Sequence, residues 1–259
     1  IKIQDKDFYM LKKKLHNNEL TLGSWVTIGD ESIVEIIAKS GYDWLVIDLE
    51  HSSIDIQTAA KLIRIIDLCN VTPLVRLTSN NPDQIKRVMD AGAYGIVVPM
   101  VNSRKQAEQA VASTRYGPKG IRGVGLARAQ GYGNKFKEYL KWQRDEPIVI
   151  VQIEHKDAIN NLEEIFTTPG VDGFIIGPYD LSCSLGIPGE FNNKEFIDTV
   201  NYIKSIGEKF NCSVGMHIVE PDSSILSKCI DDGYKFIAYS VDIRVIDVGF
   251  RLGASYIAR

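Results

Sequence analysis

The sequence lacks the features that mark membrane-spanning and nucleic-acid-binding proteins. Its longest apolar run, residues 94–101, has the length of a strand, whereas a helix needs roughly 20 apolar residues to cross a bilayer. The formal net charge is only -3, and acidic and basic residues are interspersed, so no broad basic surface for nucleic acid is expected. We therefore predict that the chain binds a small molecule, with neither a membrane nor nucleic acid as a partner.

Cysteine is scarce and is not arranged as in a disulfide framework. The chain has no C-x-x-C pair, and its four cysteines lie far apart, at Cys69, Cys183, Cys212 and Cys229. This usage is typical of free thiols in a reducing compartment, so we predict a cytoplasmic protein.

Signatures of the common organic cofactors are also missing. No G-x-G-x-x-G follows the first predicted strand, and G-x-x-x-x-G-K-[ST] does not occur, so no nucleotide cofactor is predicted. The polar strand ends described below carry no lysine, which disfavours Schiff-base chemistry and a pyridoxal phosphate cofactor.

The chain does contain an eightfold alternation of short apolar runs with helix-like segments. The runs are rich in β-branched residues and apolar on both faces, which is typical of parallel strands covered on both sides. Eight such units in 259 residues predict an α/β fold, a (β/α)8 TIM barrel, with a doubly wound open sheet as the alternative. No low-complexity linker divides the chain, so we predict one domain over residues 1–259.

Both ends of the chain are predicted to be helical. Phe8, Leu11 and Leu15 recur at helical spacing near the start, which favours an amphipathic N-terminal capping helix. A second apolar stripe at helical spacing lies in residues 242–257, so a C-terminal helix could dock on its own chain or be exchanged with a second copy.

One connection breaks the alternation. Residues 116–146 contain six glycines together with Arg122 and Arg128, and long glycine-rich loops in a compact domain usually serve function. The pattern predicts an irregular loop without placing it on the barrel.

Polar side chains end several of the apolar runs, where TIM barrels place their active sites. Gln152 and Glu154 are two residues apart, so on an extended strand they point to the same side. The other polar residues at predicted strand ends are Asp48, Glu50, His51, Arg76, Asp180 and His217.

These residue types together suit metal-assisted chemistry. Glu154 and Asp180 at one barrel mouth would repel each other unless a cation lay between them. Two carboxylates with open positions for water or substrate oxygen suit Mg²⁺ or Mn²⁺ acting as a Lewis acid. With Arg76 and a histidine, the set describes a site for an oxyanion that develops on a carbonyl compound.

Six ordered motifs carry a resemblance to a known family. They are VIDLEHSS, VRL, MDAGAYGIVVPMV, RYGPKGIRGVG, VQIE and GPYDLSCSLGIPGE. Over about residues 20–255 the chain resembles the HpcH/HpaI aldolases, which are metal-dependent pyruvate aldolases. The family is typically hexameric, a trimer of dimers with exchanged C-terminal helices, so the resemblance implies a homo-oligomer.

The resemblance also implies roles for individual residues. Glu154 and Asp180 would be the metal ligands, with Mg²⁺, Mn²⁺ or Co²⁺ as the ion. Arg76 would bind the pyruvyl ketone oxygen and stabilise the enolate. His51, paired with Asp90, would form the acid/base machinery.

Further residues are implied to contact the substrate or shape its pocket. Gln152 would support the substrate network, and Gly177 and Pro178 would shape the turn beside it. Arg122 would bind the distal part of the substrate or form an interface ion pair. His217 stands where the family often has an apolar residue, so a polar acceptor substrate is expected.

We therefore predict a carbon–carbon lyase, a class II aldolase that reversibly cleaves a 4-hydroxy-2-oxo acid to pyruvate and an aldehyde. One alternative is a related lyase of the same superfamily with another donor or electrophile. The other is a non-catalytic metal-dependent oxo-acid-binding protein, which would need Glu154, Asp180 and Arg76 but would have no use for His51.

Overall fold

The structure, a computed structural model, describes residues 10–257 and contains a closed barrel of eight parallel strands. Each strand pairs with its neighbours in chain order, and the eighth closes on the first. The predicted TIM barrel is therefore confirmed. The strands are β1 Thr21–Val26, β2 Trp44–Asp48, β3 Thr72–Arg76, β4 Gly95–Val98, β5 Ile148–Ile153, β6 Gly173–Ile176, β7 Ser213–Ile218 and β8 Phe236–Val241.

Helices connect the strands and surround the barrel. Several begin at a capping residue, as at Asp30, Asn81 and Ser103, whose side chains accept hydrogen bonds from backbone N–H groups two or three residues on,. The helices are α1 Met10–His16, α2 Glu31–Ala38, α3 Ile56–Leu68, α4 Pro82–Ala91, α5 Arg104–Thr114, α6 Phe136–Asp145, α7 Leu162–Phe166, α8 Pro178–Ser184, α9 Lys194–Lys209, α10 Ser223–Asp231 and α11 Asp242–Ser255. No helix within residues 10–257 is long and apolar enough to cross a membrane.

The interior of the barrel is a packed core. Trp44 and Phe236 stack inside it with ring centroids 4.0 Å apart. A Cβ on Gly23 would lie 2.1 Å from the Trp44 ring, so a glycine is required where β1 passes the indole. This packed layer lies at the start of β2 and β8, toward the amino end of the barrel.

Helix α1 closes the amino end of the barrel. Leu11 and Leu15 are buried in the same apolar cluster as the side chains inside the barrel, so the described part of the predicted capping helix is confirmed. Phe8, the third residue of that predicted stripe, lies outside the described residues.

The long connection over residues 116–146 stays at the amino end of the barrel. Arg128 in its middle forms an ion pair with Asp67 near the end of α3 and donates to the carbonyl oxygen of Ala91 at the end of α4. The prediction of an irregular loop is wrong for its last third, which is helix α6. The glycines before residue 134 indicated an irregular loop, so the helical pattern that follows them was not predicted.

The predicted C-terminal helix is observed as α11. Three apolar side chains in the last turns of α11 or just after it are largely exposed: Phe250 at 78%, Leu252 at 60% and Tyr256 at 83%. Exchange of this helix between copies stays a prediction.

Candidate active site

Arg76 is a largely buried cation at the carboxyl end of the barrel, with its side chain 12% exposed. It ends β3 directly beside Asp48, the last residue of β2. Its guanidinium donates from Nε to Asp48 Oδ1 at 2.8 Å and from Nη2 to Oδ2 at 2.6 Å. The guanidinium carbon also lies 4.4 Å from the centroid of the Trp25 ring. A two-point ion pair and a stacked ring together fix the plane of the arginine.

Asp48 organises the turn after β2 as well as the arginine. Its Oδ1 accepts from the backbone N–H groups of Glu50 at 2.9 Å and His51 at 3.3 Å. Burial opposes ionisation of Asp48, but the hydrogen bonds and charge of Arg76 outweigh burial and lower its pKa from the usual value,. Sequence analysis gave Asp48 no role, although a carboxylate that abruptly ends the run LVID was the available signal.

Glu154 follows β5 and is buried at the mouth of the barrel. Its Oε1 accepts from the backbone N–H of Met100 at 2.7 Å, and its Oε2 accepts from Gln152 Nε2, so the two side chains meet as their spacing predicts. Burial, together with the negative charges of Glu50 and Asp180, raises the pKa of Glu154 to about 7,. A positive charge placed beside Glu154 would therefore stabilise its ionised form.

Asp180 reaches the same mouth from β6 through the turn at Gly177 and Pro178. A Cβ on Gly177 would lie 2.7 Å from Glu154 Oε2, so this turn passes Glu154 closely only because residue 177 is glycine. Asp180 lies in the first turn of α8 and is exposed, and its charge acts on Glu154.

This set of donors fits a divalent cation. Glu154 and Asp180 offer two carboxylates, and Gln152 Oε1 is buried with no hydrogen-bond partner within residues 10–257. The described part of the chain holds no group of three or more His, Cys, Asp or Glu side chains placed for a metal. The protein would thus supply few ligands and leave positions to water or substrate oxygen, as Mg²⁺ commonly requires.

His51 and Asp90, predicted to pair, are not brought together within one chain. His51 lies at the rim with its side chain 65% exposed, and its Nε2 is 3.9 Å from Glu50 Oε2. Asp90 lies in the last turn of α4 and accepts from Arg122 Nη2 at 2.6 Å. Because barrel helices run antiparallel to the strands, that turn lies toward the amino end. The dyad stays a prediction.

Arg122 lies with Asp90, away from the mouth of its own chain. Its fully buried side chain donates to Tyr139 Oη at 2.8 Å and to the Thr114 carbonyl oxygen at 3.2 Å, and the ring of Tyr116 lies against the guanidinium. These contacts anchor the glycine-rich connection to α4, α5 and α6. Within one chain they give Arg122 an internal ion pair rather than the predicted contact with substrate.

His217 in β7 carries a buried nitrogen without a partner. Its Nε2 makes no hydrogen bond to any described residue, and its ring centroid is 5.3 Å from that of Trp25. Burial, reinforced by the charge of Arg76, lowers the pKa of His217 to about 3, so the imidazole is neutral. Trp25 Nε1 is likewise buried without a partner among residues 10–257. Sequence analysis missed Trp25, because nothing in GSWVTI distinguishes it from a core aromatic.

Comparison with known families matches the whole barrel. The model described as HpcH/HpaI aldolase/citrate lyase matches residues 21–247, a range that includes all eight strands and the mouth residues described above. The chain belongs to the HpcH/HpaI aldolase/citrate lyase family. It therefore shares its fold and motifs with a family of aldolases and lyases, which confirms the resemblance seen in its motifs.

Individual relatives of this HpcH/HpaI family member are similar to it over nearly the full length of the chain. The chain is 35% identical over 243 residues to the pyruvate aldolase of Rhizobium etli, covering 92% of this chain and 93% of that one. It is 37% identical over 237 residues to the 2-keto-3-deoxy-L-rhamnonate aldolase of Escherichia coli, covering 89% and 86%. A crystal structure of an HpcH/HpaI aldolase/citrate lyase family protein from Burkholderia cenocepacia superposes with a TM-score of 0.91 at 31% identity, covering 96% and 99%.

Proposed function

We propose that the protein is a divalent-metal-dependent aldolase that reversibly cleaves a 4-hydroxy-2-oxo acid to pyruvate and an aldehyde. The observation that carries the proposal is the largely buried Arg76 cation, which shares one barrel mouth with Glu154, whose charge acts on it, and with Asp180. Such a mouth accepts a metal through its carboxylates and an oxo acid through its arginine. The names of the relatives from Rhizobium etli and Escherichia coli support the reaction class.

Glu154 and Asp180 would hold the ion, which could be Mg²⁺, Mn²⁺ or Co²⁺, with Gln152 beside them. When bound, the ion would supply a Lewis acid that draws electron density from the carbonyl group. Gly177 and Pro178 keep the turn before α8 against Glu154, so the two carboxylates are held at one place by the backbone.

Arg76 binds the ketone oxygen of the substrate and holds the negative charge that cleavage leaves on the pyruvyl half. Asp48 and Trp25 fix its plane before substrate arrives. A charge that is already oriented stabilises the transition state without reorganising as the reaction proceeds.

His51 removes the proton of the 4-hydroxyl group. The bond between C3 and C4 then breaks, its electron pair becomes that of the pyruvate enolate, and the aldehyde leaves. Return of a proton to C3 gives pyruvate. The exposure of His51 at the rim supports a place near the aldehyde half, which must leave first.

His217 would contact the acceptor half of the substrate. Its neutral ring hydrogen-bonds the Ser240 backbone, so the unpartnered Nε2 can accept one hydrogen bond from a hydroxyl group, and a hydroxylated aldehyde is the acceptor in this proposal. A site built to make such a bond rejects analogues that cannot make it.

The protein is also proposed to be a homo-oligomer, and a hexamer by its family resemblance. The exposed apolar side chains of α11 support contact with a second copy, because large exposed apolar patches usually mark interfaces. Since Asp90 and His51 lie toward opposite ends of their own barrel, their pairing would require residues from two copies.

The proposed function is tested by loss of the pyruvate methyl signal in D₂O. We expect exchange with Mg²⁺, Mn²⁺ or Co²⁺, none after chelation, and a fall of at least about 10²-fold in His51→Ala. This test requires neither the identity of the aldehyde nor a sample of it. Wild-type protein that exchanges no methyl protons with any of these ions, and forms no pyruvate from 4-hydroxy-2-oxo acids, would contradict the proposal.

A further inference from the structure

Glu50 lies between Arg76, which stabilises the negative charge in the proposed reaction, and His51, which transfers the proton. Its Oε2 is 3.4 Å from Arg76 Nη1 and 3.9 Å from His51 Nε2. Neither the metal site nor the substrate contacts proposed above use this carboxyl. Its side chain is only 18% exposed, whereas that of His51 is 65% exposed, so Glu50 is the more deeply buried of the two neighbours.

The turn that carries Glu50 is held in place by hydrogen bonds of its own. Asp48 Oδ1 accepts from the N–H groups of Glu50 and His51, and the hydroxyl of Ser52 donates to the Asp48 carbonyl oxygen while accepting from the N–H of Ile54 at 3.0 Å. Because hydrogen bonds hold this turn at both its start and its end, the position from which the Glu50 side chain reaches Arg76 is fixed.

The contacts of Arg76 divide between two carboxylates. Nε and Nη2 donate to Asp48, and Nη1 faces Glu50. Asp48 and the Trp25 ring set the plane of the guanidinium, and Glu50 is the carboxyl group that faces its remaining terminal nitrogen, Nη1.

Burial is the main influence on the charge of Glu50. With the charges of Asp48 and Asp180, burial raises its pKa to about 7, although Arg76 acts in the opposite direction. The charged form of this carboxyl group therefore depends on its contact with Arg76 Nη1,.

We propose that Glu50 is a positioning residue that couples Arg76 to His51, holding Nη1 of the arginine in place and keeping the imidazole over the mouth. The proposal rests on the proposed aldolase function. It makes the ketone-binding cation and the base parts of one unit, so removing Glu50 disturbs both, while removing Glu50 after His51 is gone disturbs only the arginine.

A double-mutant cycle tests the coupling, because residues that act as a unit have non-additive effects. Rates of pyruvate methyl exchange are measured, above the exchange caused by metal alone, for wild type, Glu50→Gln, His51→Ala and the double variant. We expect Glu50→Gln to lower the maximal rate by about 10–100-fold, the range for residues that orient a reacting group, with the pyruvate KM changed less than about threefold. In the His51→Ala background the same change should lower the rate by a clearly smaller factor, because only the contact with Arg76 is left to lose.

Two further variants separate positioning from general damage. Glu50→Asp keeps the charge and should recover part of the rate that Glu50→Gln loses. Glu220→Gln removes a carboxylate that pairs with Arg244 near the end of β7 and should leave the rate unchanged. Thermal melting should show all variants folded, since glutamine replaces a carboxyl that the fold already disfavours as an anion.

The coupling is overturned if Glu50→Gln exchanges like wild type, or if its effect is equally large with and without His51. Wild-type protein without exchange under any metal is a different result: it removes the proposed function itself, and the inference with it.

Discussion

The two ends of the barrel differ in how their charged side chains are paired. At the amino end, Asp172 accepts from Lys12 Nζ at 2.9 Å, from His16 Nε2 at 2.8 Å and from the backbone N–H of Val149 at 2.9 Å, and Lys12 also donates to the Pro147 carbonyl oxygen at 2.9 Å. Lys12, His16 and Asp172 thus find their partners inside the chain.

At the carboxyl end, burial and like charges raise the pKa values of Glu50 and Glu154 to about 7. Gln152 Oε1, His217 Nε2 and Trp25 Nε1 are also buried there without a partner among residues 10–257, but unpartnered buried atoms occur toward the amino end as well, at Ser213 Oγ and Trp142 Nε1. The crowding of carboxyl groups is therefore what distinguishes the carboxyl end and favours a cationic ligand there.

The largest effect on stability is expected at the amino end. Asp172→Ala leaves the Lys12 ammonium buried without its anion, and breaking a buried pair in this way costs about 3–5 kcal/mol of unfolding free energy. Exchange of pyruvate protons per folded molecule should not change. Chemical denaturation and the exchange assay measure the two quantities.

The matched control for Asp172 is Asp43→Ala, because Asp43 pairs with Lys14 at the same end at 2.6 Å but both side chains are about a quarter exposed. Its loss of stability should be clearly smaller. Equal losses would mean that burial of the pair does not set the cost.

At the carboxyl end, Glu154→Gln is expected to remove activity while stabilising the metal-free protein. Activity should fall at least about 10²-fold, since a Lewis acid supplies several kcal/mol. The folded-state pKa of Glu154 is about 7 against roughly 4.3 when unfolded, so between those values the folded chain holds a proton that the unfolded chain has lost.

Stability of the metal-free protein therefore falls as pH rises from about 4.3 to 7, by of order 3 kcal/mol from this group. Glutamine removes that fall, so the variant should be more stable than wild type at pH 8 and equal to it at pH 4. Denaturation of chelated protein at both pH values checks this. His217 titrates with the opposite sign, but it is present in both proteins and cancels in the comparison. A variant equally stabilised at pH 4 would contradict the assignment.

The smallest effect is expected from His217→Leu, which replaces the unpartnered nitrogen with an apolar group of similar reach. We expect kcat/KM for an oxo acid with a hydroxylated acceptor to fall about 10-fold, and that for an apolar acceptor to fall less or to rise. Exchange of pyruvate itself, which involves no acceptor, is the internal control. Equal losses for both acceptors would place His217 outside the acceptor pocket.

Much of the fold could be predicted from the sequence because its causes are local. The strands are runs of β-branched residues apolar on both faces, and cap residues such as Asp30 and Asn81 begin helices where the pattern changes. Helix α6 escaped prediction because six nearby glycines outweighed its short amphipathic pattern.

The candidate site was predictable only in its residue types. Spacing placed Gln152 beside Glu154, and motifs singled out Arg76 and Asp180, because residues at strand ends of a barrel converge whatever their distance in sequence. The same reasoning could not show that Arg122 is enclosed with Asp90, since that depends on where a long connection packs.

By itself, the sequence determined an eight-stranded parallel barrel, the polar strand ends at its mouth and membership of an aldolase and lyase family, since periodicity and ordered motifs are properties of the chain alone. Only the tertiary structure decided which polar groups are paired and which are left open. Asp172 and Lys12 are 160 residues apart and neutralise each other, whereas Glu50 and Glu154 are forced close to like charges. Partners at such distances follow from closure of the barrel, not from any local pattern.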